Sequence, residues 1–181
     1  IKDVVENLDL IPSNINLSGA EIELIGVDDK EYILKGITDK LRRKYDYIIL
    51  DCPPSLNMLT INALTAATSV LVPIQCEYYA LEGLSQLIHT IDLVKDRLNK
   101  KLAMEGVVFT MYDARTNLSL QVVENVKDNL QQNIYKTIIP RNVRLAEAPS
   151  YGQPINIYDS RSAGAEAYRL LAEEVINRED K

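Results

Sequence analysis

Tyr45-Asp46-Tyr47-Ile48-Ile49-Leu50-Asp51-Cys52-Pro53-Pro54-Ser55 decides how the rest of the chain reads. Ile48, Ile49 and Leu50 form a short, unalternated apolar run rich in β-branched side chains. A strand in a parallel sheet has that pattern, because helices cover both faces and neither meets water. Asp51 closes the run, and Pro53 and Pro54, which cannot donate to a ladder, predict that the strand stops there. An Asp at the carboxyl end of a central parallel strand stands where open α/β sheets bind ligands. The plainer alternative makes Asp51 a cap for a helix starting near Leu56, in competition with Ser55.

Further elements follow on both sides. Leu8–Pro12 predicts a strand stopped by its proline, and Ser18 can cap a short helix over Ala20–Ile25. Ile33, Leu34, Ile37 and Leu41 recur at helical spacing within Asp29–Lys44, with Arg42, Arg43 and Lys44 where cations favour the helix dipole. Leu56–Ala67 reads as a buried helix with Leu59, Ala63 and Ala66 on one face. Ser69–Ile74 predicts a second buried strand, ended near Pro73. Leu81, Leu84, Ile88, Ile91 and Val94 form the core stripe of a long helix over 79–98. A strand over Gly106–Met111, a helix over Leu118–Gln132 and a strand over Tyr135–Ile139 come next. The segment to Asp159 reads as loop, with Pro149, Gly152 and Pro154, before a closing helix over Ala163–Ile176. Strands alternating with helices imply βαβ units, a mostly parallel sheet and a three-layer helix–sheet–helix α/β fold in one domain.

The 181 residues are 46% apolar and 25% charged, as a chain with a substantial core should be. A net charge of −6 argues against indiscriminate nucleic-acid binding by the whole surface. It leaves room for a local basic face, and Arg141, Arg144, Arg161 and Arg169 give residues 136–169 a positive excess. Cys52 and Cys76 stand far apart, with neither a C-x-x-C pair nor a histidine cluster, which disfavours zinc or iron–sulfur ligation. Two cysteines suit a reducing cytoplasm. No stretch approaches the roughly 18 apolar residues of a membrane span. The chain starts without Met at Ile1-Lys2-Asp3, as a piece of a longer protein would.

In a P-loop nucleotidase the position of Asp51 carries the Walker B aspartate, which helps hold magnesium against the phosphates. A glycine-rich phosphate loop should accompany it, yet the seven glycines are scattered and none stands in G-x-x-x-x-G-K-[ST]. His89, among Leu87, Ile88 and Ile91, reads as a core or boundary residue, and Met111 as core filling at a strand end. Tyr78 and Tyr79, with Glu77 and Glu82, suit either a partner-facing patch or a buried helix start.

The opening stretch, together with Gln75-Cys76-Glu77-Tyr78-Tyr79-Ala80-Leu81-Glu82-Gly83, resembles the ParA/Soj family of chromosome- and plasmid-partitioning ATPases. Asp113-Ala114-Arg115-Thr116-Asn117, Ile139-Pro140-Arg141-Asn142-Val143-Arg144-Leu145 and Glu147-Ala148-Pro149-Ser150-Tyr151-Gly152-Gln153-Pro154 extend the match in the same order, from about Leu8 to the last helix. The resemblance implies a P-loop NTPase fold of the MinD-like superfamily, with the family's deviant Walker A loop upstream of residue 1. The intact protein would bind ATP and magnesium, form a homodimer, bind double-stranded DNA without sequence preference, and hydrolyse ATP when a ParB-type partner stimulates it. It would be cytoplasmic and associated with the nucleoid.

Carried over by position, Asp51 would act on magnesium through a bound water, and Pro140 and Asn142 would receive the adenine. Arg115 and Arg144 would contact DNA phosphates. Each has a bland alternative: Pro140 and Asn142 as turn formers, and the arginines as locally paired with Asp113 and Glu147. No catalytic residue is expected in these 181 residues, and no ATPase activity from them alone. A MinD-type membrane ATPase and a non-enzymatic dimerisation scaffold are the rival readings. The acidic tail Glu173-Glu174 … Glu179-Asp180 lacks a basic amphipathic face, which predicts no membrane binding.

Overall fold

The computed structural model describes all residues except Asp3, Pro54, Tyr79, Gln131, Gln132, Asp180 and Lys181. A 3-10 turn at Ile15–Gly19 leads into α1 (Ala20–Glu23), and a second turn at Lys30–Tyr32 into α2 (Ile33–Leu41). Then follow α3 (Met58–Ala66), β1 (Ser69–Gln75), α4 (Ala80–Arg97), β2 (Ala103–Tyr112), α5 (Asn117–Asn129) and β3 (Ile134–Pro140). The chain ends with α6 (Val143–Glu147), a 3-10 turn at Ala148–Tyr151, α7 (Ile155–Tyr158) and α8 (Ala163–Glu179). The three strands are parallel in the order β1-β2-β3.

Alternation along the strands divides the core into two layers. Val72, Ile74, Val107 and Phe109 face Leu84, Ile91 and Val94 of α4 and Val122, Val123 and Val126 of α5. Val108, Tyr135 and Ile139 point the other way, towards Ala167, Leu171 and Val175 of α8. This is the three-layer α/β arrangement with a parallel sheet that the βαβ pattern predicts. The α4 stripe behaves as expected at Leu84, Ile91 and Val94, which are buried; the side chain of Leu81 lies outside the described residues, as does Gln132 at the expected end of α5.

Several local expectations are corrected. Tyr45–Asp51 forms no strand: among the described residues no strand runs beside it in a ladder, and Ile49 is 88% exposed. An apolar run becomes a strand only when a neighbour satisfies its backbone groups. Among the described residues Leu8–Pro12 likewise joins no sheet: Val5 and Leu8 form an isolated bridge, and Leu10 N donates to Ile1 O at 2.8 Å. Pro73 does not end β1 but lies within it, a position that an edge strand tolerates. Ser18 does not cap α1, whose N-cap is Gly19 with no side-chain bond, and Asn57 rather than Asp51 or Ser55 caps α3 by accepting from Thr60 N at 3.1 Å. In α2, Ile33 and Ile37 stay exposed while Thr38 is buried. His89 is exposed on α4 rather than packed in the core. The segment expected as loop before Asp159 instead winds into α6, a 3-10 turn and α7.

Side-chain amides tie the outer helices together. Asn62 Nδ2 donates to Lys30 O at 2.8 Å while its oxygen accepts from Leu34 N at 3.1 Å, which holds α2 on α3. Asn99 Nδ2 donates to Leu64 O, Thr65 O and Ala67 O, satisfying carbonyls that the end of α3 would leave unpaired. At the start of α8, a Cβ on Gly164 would fall 2.5 Å from Leu145 Cγ, so only glycine lets α8 approach α6 this closely.

Candidate functional site

The carboxyl ends of all three parallel strands meet along one rim, where ligands bind in open α/β sheets. β1 runs out into Cys76 and Glu77, β2 into Asp113 and Arg115, and β3 into Arg141, Asn142 and Arg144. The strand ends are cross-tied. Arg141 N donates to Tyr112 O at 2.8 Å, and Arg141 Nη2 reaches Glu77 Oε1 at 2.8 Å. That ion pair spans from the end of β1 to the end of β3, across the central strand.

β2 itself is irregular there. Phe109 faces Ile138 and Tyr112 faces Pro140, so one residue of β2 has no counterpart, and Met111 in that gap adopts φ +54°. A side chain in the left-handed region costs about 1–3 kcal/mol and is held only where its surroundings fix it. Met111 is exposed at this rim and fills no core.

Pro140 closes β3 opposite Tyr112, and Asn142 caps α6. Asn142 Oδ1 accepts from Arg144 N at 2.9 Å and from Leu145 N at 3.3 Å, which fixes the plane of the amide. Its Nδ2 has no partner among the described residues, so a donor remains available at the rim.

Arg115 is 86% exposed along its side chain, yet it is not idle. Its Nε donates to Asp113 Oδ1 at 2.9 Å and its Nη2 to Asp113 Oδ2 at 2.7 Å, a bidentate pair. Arg115 N adds a third bond to the same carboxylate at 3.0 Å. The side-chain bonds first, then the backbone bond, hold the Asp113 carboxyl well below the usual carboxylate range. Arg144 Nη1 lies 2.9 Å from Glu147 Oε2 and its Nε 3.4 Å from Asp159 Oδ2, while Tyr158 hydroxyl donates to the same Glu147 oxygen at 3.1 Å. Both arginines therefore carry the local pairings with Asp113 and Glu147 that the sequence offered as the bland alternative. Within residues 136–169, Arg144 and Arg169 pair with Glu147, Asp159 and Glu166 of the same stretch, and Arg141 pairs with Glu77 from outside it, leaving the Lys136 and Arg161 side chains without an ion pair among the described residues.

The rim thus gathers Pro140, Asn142, Arg144 and Arg115. Asp51 is exposed on the 45–53 segment, which belongs to no strand, and no hydrogen bond or ion pair among the described residues joins it to the strand ends. It bears on Cys52, whose thiol pKa is raised by burial first and by the Asp51 charge second. Cys76 is buried, and burial pushes its thiol up to about 11, which keeps it protonated and inert. Among the described residues no cluster of three His, Cys, Asp or Glu side chains could cage a metal ion. Tyr78 is exposed, while Tyr79 and the Glu82 side chain lie outside the described residues. The Glu77–Arg141 pair is the rim feature that sequence reading missed. Its partners lie 64 residues apart, and their common signal is that each follows the end of a strand.

Residues 1–104 match the family model described as an AAA domain. The sporulation initiation inhibitor protein Soj of Bacillus subtilis is 61% identical over 171 residues, covering 94% of this chain and 68% of that protein. The chromosome partitioning protein ParA of Myxococcus xanthus is 54% identical over 95% of this chain and 61% of its own length. The chain belongs to the ParA/Soj family of partitioning ATPases. A crystal structure of cobyrinic acid a,c-diamide synthase from Mycobacterium smegmatis with bound ADP and magnesium superposes with a TM-score of 0.80 at 37% identity. That likeness covers 94% of this chain and 62% of the synthase, so the ParA/Soj chain spans about two thirds of the relatives it matches. Among the described residues no helix is long and apolar enough to cross a membrane.

Proposed function

We propose that this chain forms the carboxyl-terminal part of a chromosome- or plasmid-partitioning ATPase, cytoplasmic and associated with the nucleoid. The whole protein binds ATP and magnesium, pairs with a second copy, holds double-stranded DNA without sequence preference, and hydrolyses ATP under stimulation by a ParB-type partner. The observation that carries this reading is the 61% identity to Soj across nearly the whole chain. The rim geometry agrees with it. Pro140 and Asn142 sit at the end of β3, and the amide presents a free donor beside its capped oxygen, the pair of functions an adenine edge can use. Arg115 and Arg144 follow neighbouring strand ends, where they would meet the phosphates of a duplex.

Magnesium fits the residues present in one limited sense. Asp51 is exposed and unpaired among the described residues, and a carboxylate that acts through a metal-bound water needs no cage around it. When bound, the ion neutralises charge on the phosphates. Asp51 would orient its water shell, Asn142 would hold the base, and the Glu77–Arg141 pair would fix the loop that carries Asn142.

The 181 residues contain no glycine-rich lysine loop, so the purified chain is expected to show no magnesium-dependent ATP turnover. In the natural full-length protein, Asn142→Ala should weaken ATP binding about tenfold, the loss of one or two hydrogen bonds to the base. Turnover by residues 1–181, or unchanged ATP affinity in the variant, would overturn these assignments.

A further inference from the structure

We propose that Asp113 and Glu147 compete with DNA phosphate for Arg115 and Arg144, so that the protein itself limits how tightly its rim holds a polyanion. The inference rests on the reading that these two arginines contact DNA. Its own basis is the pairing geometry.

Asp113 occupies one whole edge of the Arg115 guanidinium, Nε and Nη2, with both carboxylate oxygens. That edge offers two parallel donors and is a geometry that a phosphate also prefers. Arg144 is flanked by two acids, Glu147 at 2.9 Å and Asp159 at 3.4 Å, and Tyr158 hydroxyl steadies Glu147. Arg141 is claimed by Glu77. The rim arginines 115, 141 and 144 thus face the acids 77, 113, 147 and 159, and the rim as built carries no positive excess.

A phosphate that takes the donors held by Asp113 or Glu147 must displace a carboxylate, and one that uses the open nitrogens, Nη1 of Arg115 or Nη2 of Arg144, binds beside that carboxylate as a like charge. The net gain per arginine is therefore a small difference, and contacts of this kind form and break readily. Replacing the acid by its amide removes the rival and the repulsion together. The amide keeps nearly the same shape, and its oxygen can still accept from the backbone N–H of Arg115. The sign is unusual for a substitution beside a binding residue: binding should improve.

The test measures affinity for a random-sequence duplex at low salt, using the natural full-length protein with ATP. Asp113→Asn and Glu147→Gln are each expected to tighten binding about two- to fivefold, the range of an exposed ion pair read as a ratio. Combined, they should tighten it further. Glu124→Gln, an exposed acid on α5, changes net charge equally and should leave affinity within error. Thermal midpoints matching the wild type confirm that the amide variants are folded. Weaker or unchanged binding in both amide variants overturns the proposal, as does an equal gain in Glu124→Gln, because bulk charge would then account for it. Arg115→Ala with Arg144→Ala should abolish binding. If that pair leaves binding intact, the DNA-contact reading fails and this inference falls with it; if the pair abolishes binding while the amides do nothing, only the competition fails.

Discussion

The two outer strands of the sheet end their ladders in opposite ways. On the β3 side, α8 supplies side chains in place of a further strand. Glu174 accepts from Lys136 N at 2.8 Å and Thr137 N at 2.9 Å and also from the Thr137 hydroxyl, and Arg178 donates to Ile134 O at 2.8 Å. The two side chains also bond to each other at 2.8 Å, one helical turn apart. Arg178 lies 3.8 Å over the Tyr135 ring, whose hydroxyl bonds to Glu105 at 3.2 Å. Burial first, and the nearby Glu105 charge second, push that hydroxyl up to about 12. On the β1 side there is no equivalent. Among the described residues no strand and no side chain closes the outer backbone of β1, and Pro73 is the sole blunting device. A finished edge is thus an i,i+4 pair of charged side chains on a covering helix, and an unfinished one remains a template for another strand.

Gly106 gives the most severe way to break the sealed side. A Cβ there would fall 2.8 Å from Asn133 O, 2.9 Å from Tyr135 Cε2 and 3.2 Å from Arg178 Nη1, on a backbone at φ +154°. Gly106→Ala should destabilise the chain by about 3 kcal/mol, overpacking and backbone strain acting together. Urea unfolding reads it, and a loss under about 1 kcal/mol would mean that the Tyr135–Arg178 stack is not fixed in place.

Glu174→Ala should cost somewhat less, about 2 kcal/mol, because it strips the partner from two backbone N–H groups and from Arg178. Its pH dependence has a defined sign. Burial alone would raise the Glu174 pKa, but the N–H groups of Lys136 and Thr137, the Thr137 hydroxyl and Arg178 together outweigh it and lower the pKa. A depressed folded pKa gives stability that is complete above the unfolded carboxyl range and is lost as pH falls through the folded value. The gap in urea midpoint between wild type and Glu174→Ala should therefore be flat near neutrality and narrow in acid. A gap that persisted at low pH would show that the edge is held by packing instead.

The contrast also explains what the sequence could and could not tell. The alternation of β-branched runs with helical stripes led to β1, β2, β3, α4, α5 and α8, because burial on two faces leaves a mark on every residue of those segments. Asn142 as a binding residue came from the ParA/Soj resemblance; its place after Ile138-Ile139-Pro140 suggested only a turn. The Tyr45–Asp51 run carries the same mark, yet forms no strand, since apolar residues state what a strand would need and not whether a partner is present. Glu77–Arg141 and Glu174 with Lys136 and Thr137 are contacts between distant segments, without any local spacing to betray them. The α6 and α7 turns were legible in principle: Asn142 is an N-cap residue, and Pro149 and Pro154 sit at helix starts, where proline is at home.

The smallest effect on stability belongs to the open side. Ile49 is 88% exposed on a segment that joins no strand, so Ile49→Asp should change the unfolding free energy by no more than about 0.5 kcal/mol. Its consequence should appear in association instead. An uncovered β1 edge and the apolar run 48–50 favour pairing between copies of the isolated chain, and a carboxylate at position 49 opposes it through charge and desolvation. Sedimentation over a range of concentrations should show wild-type residues 1–181 growing in mass and Ile49→Asp remaining small. Glu174→Ala should grow faster than wild type, because it opens the second edge as well. If Ile49→Asp instead cost more than about 1 kcal/mol, Ile49 would be covered in solution, and the two edges would differ in what closes them rather than in whether they are closed.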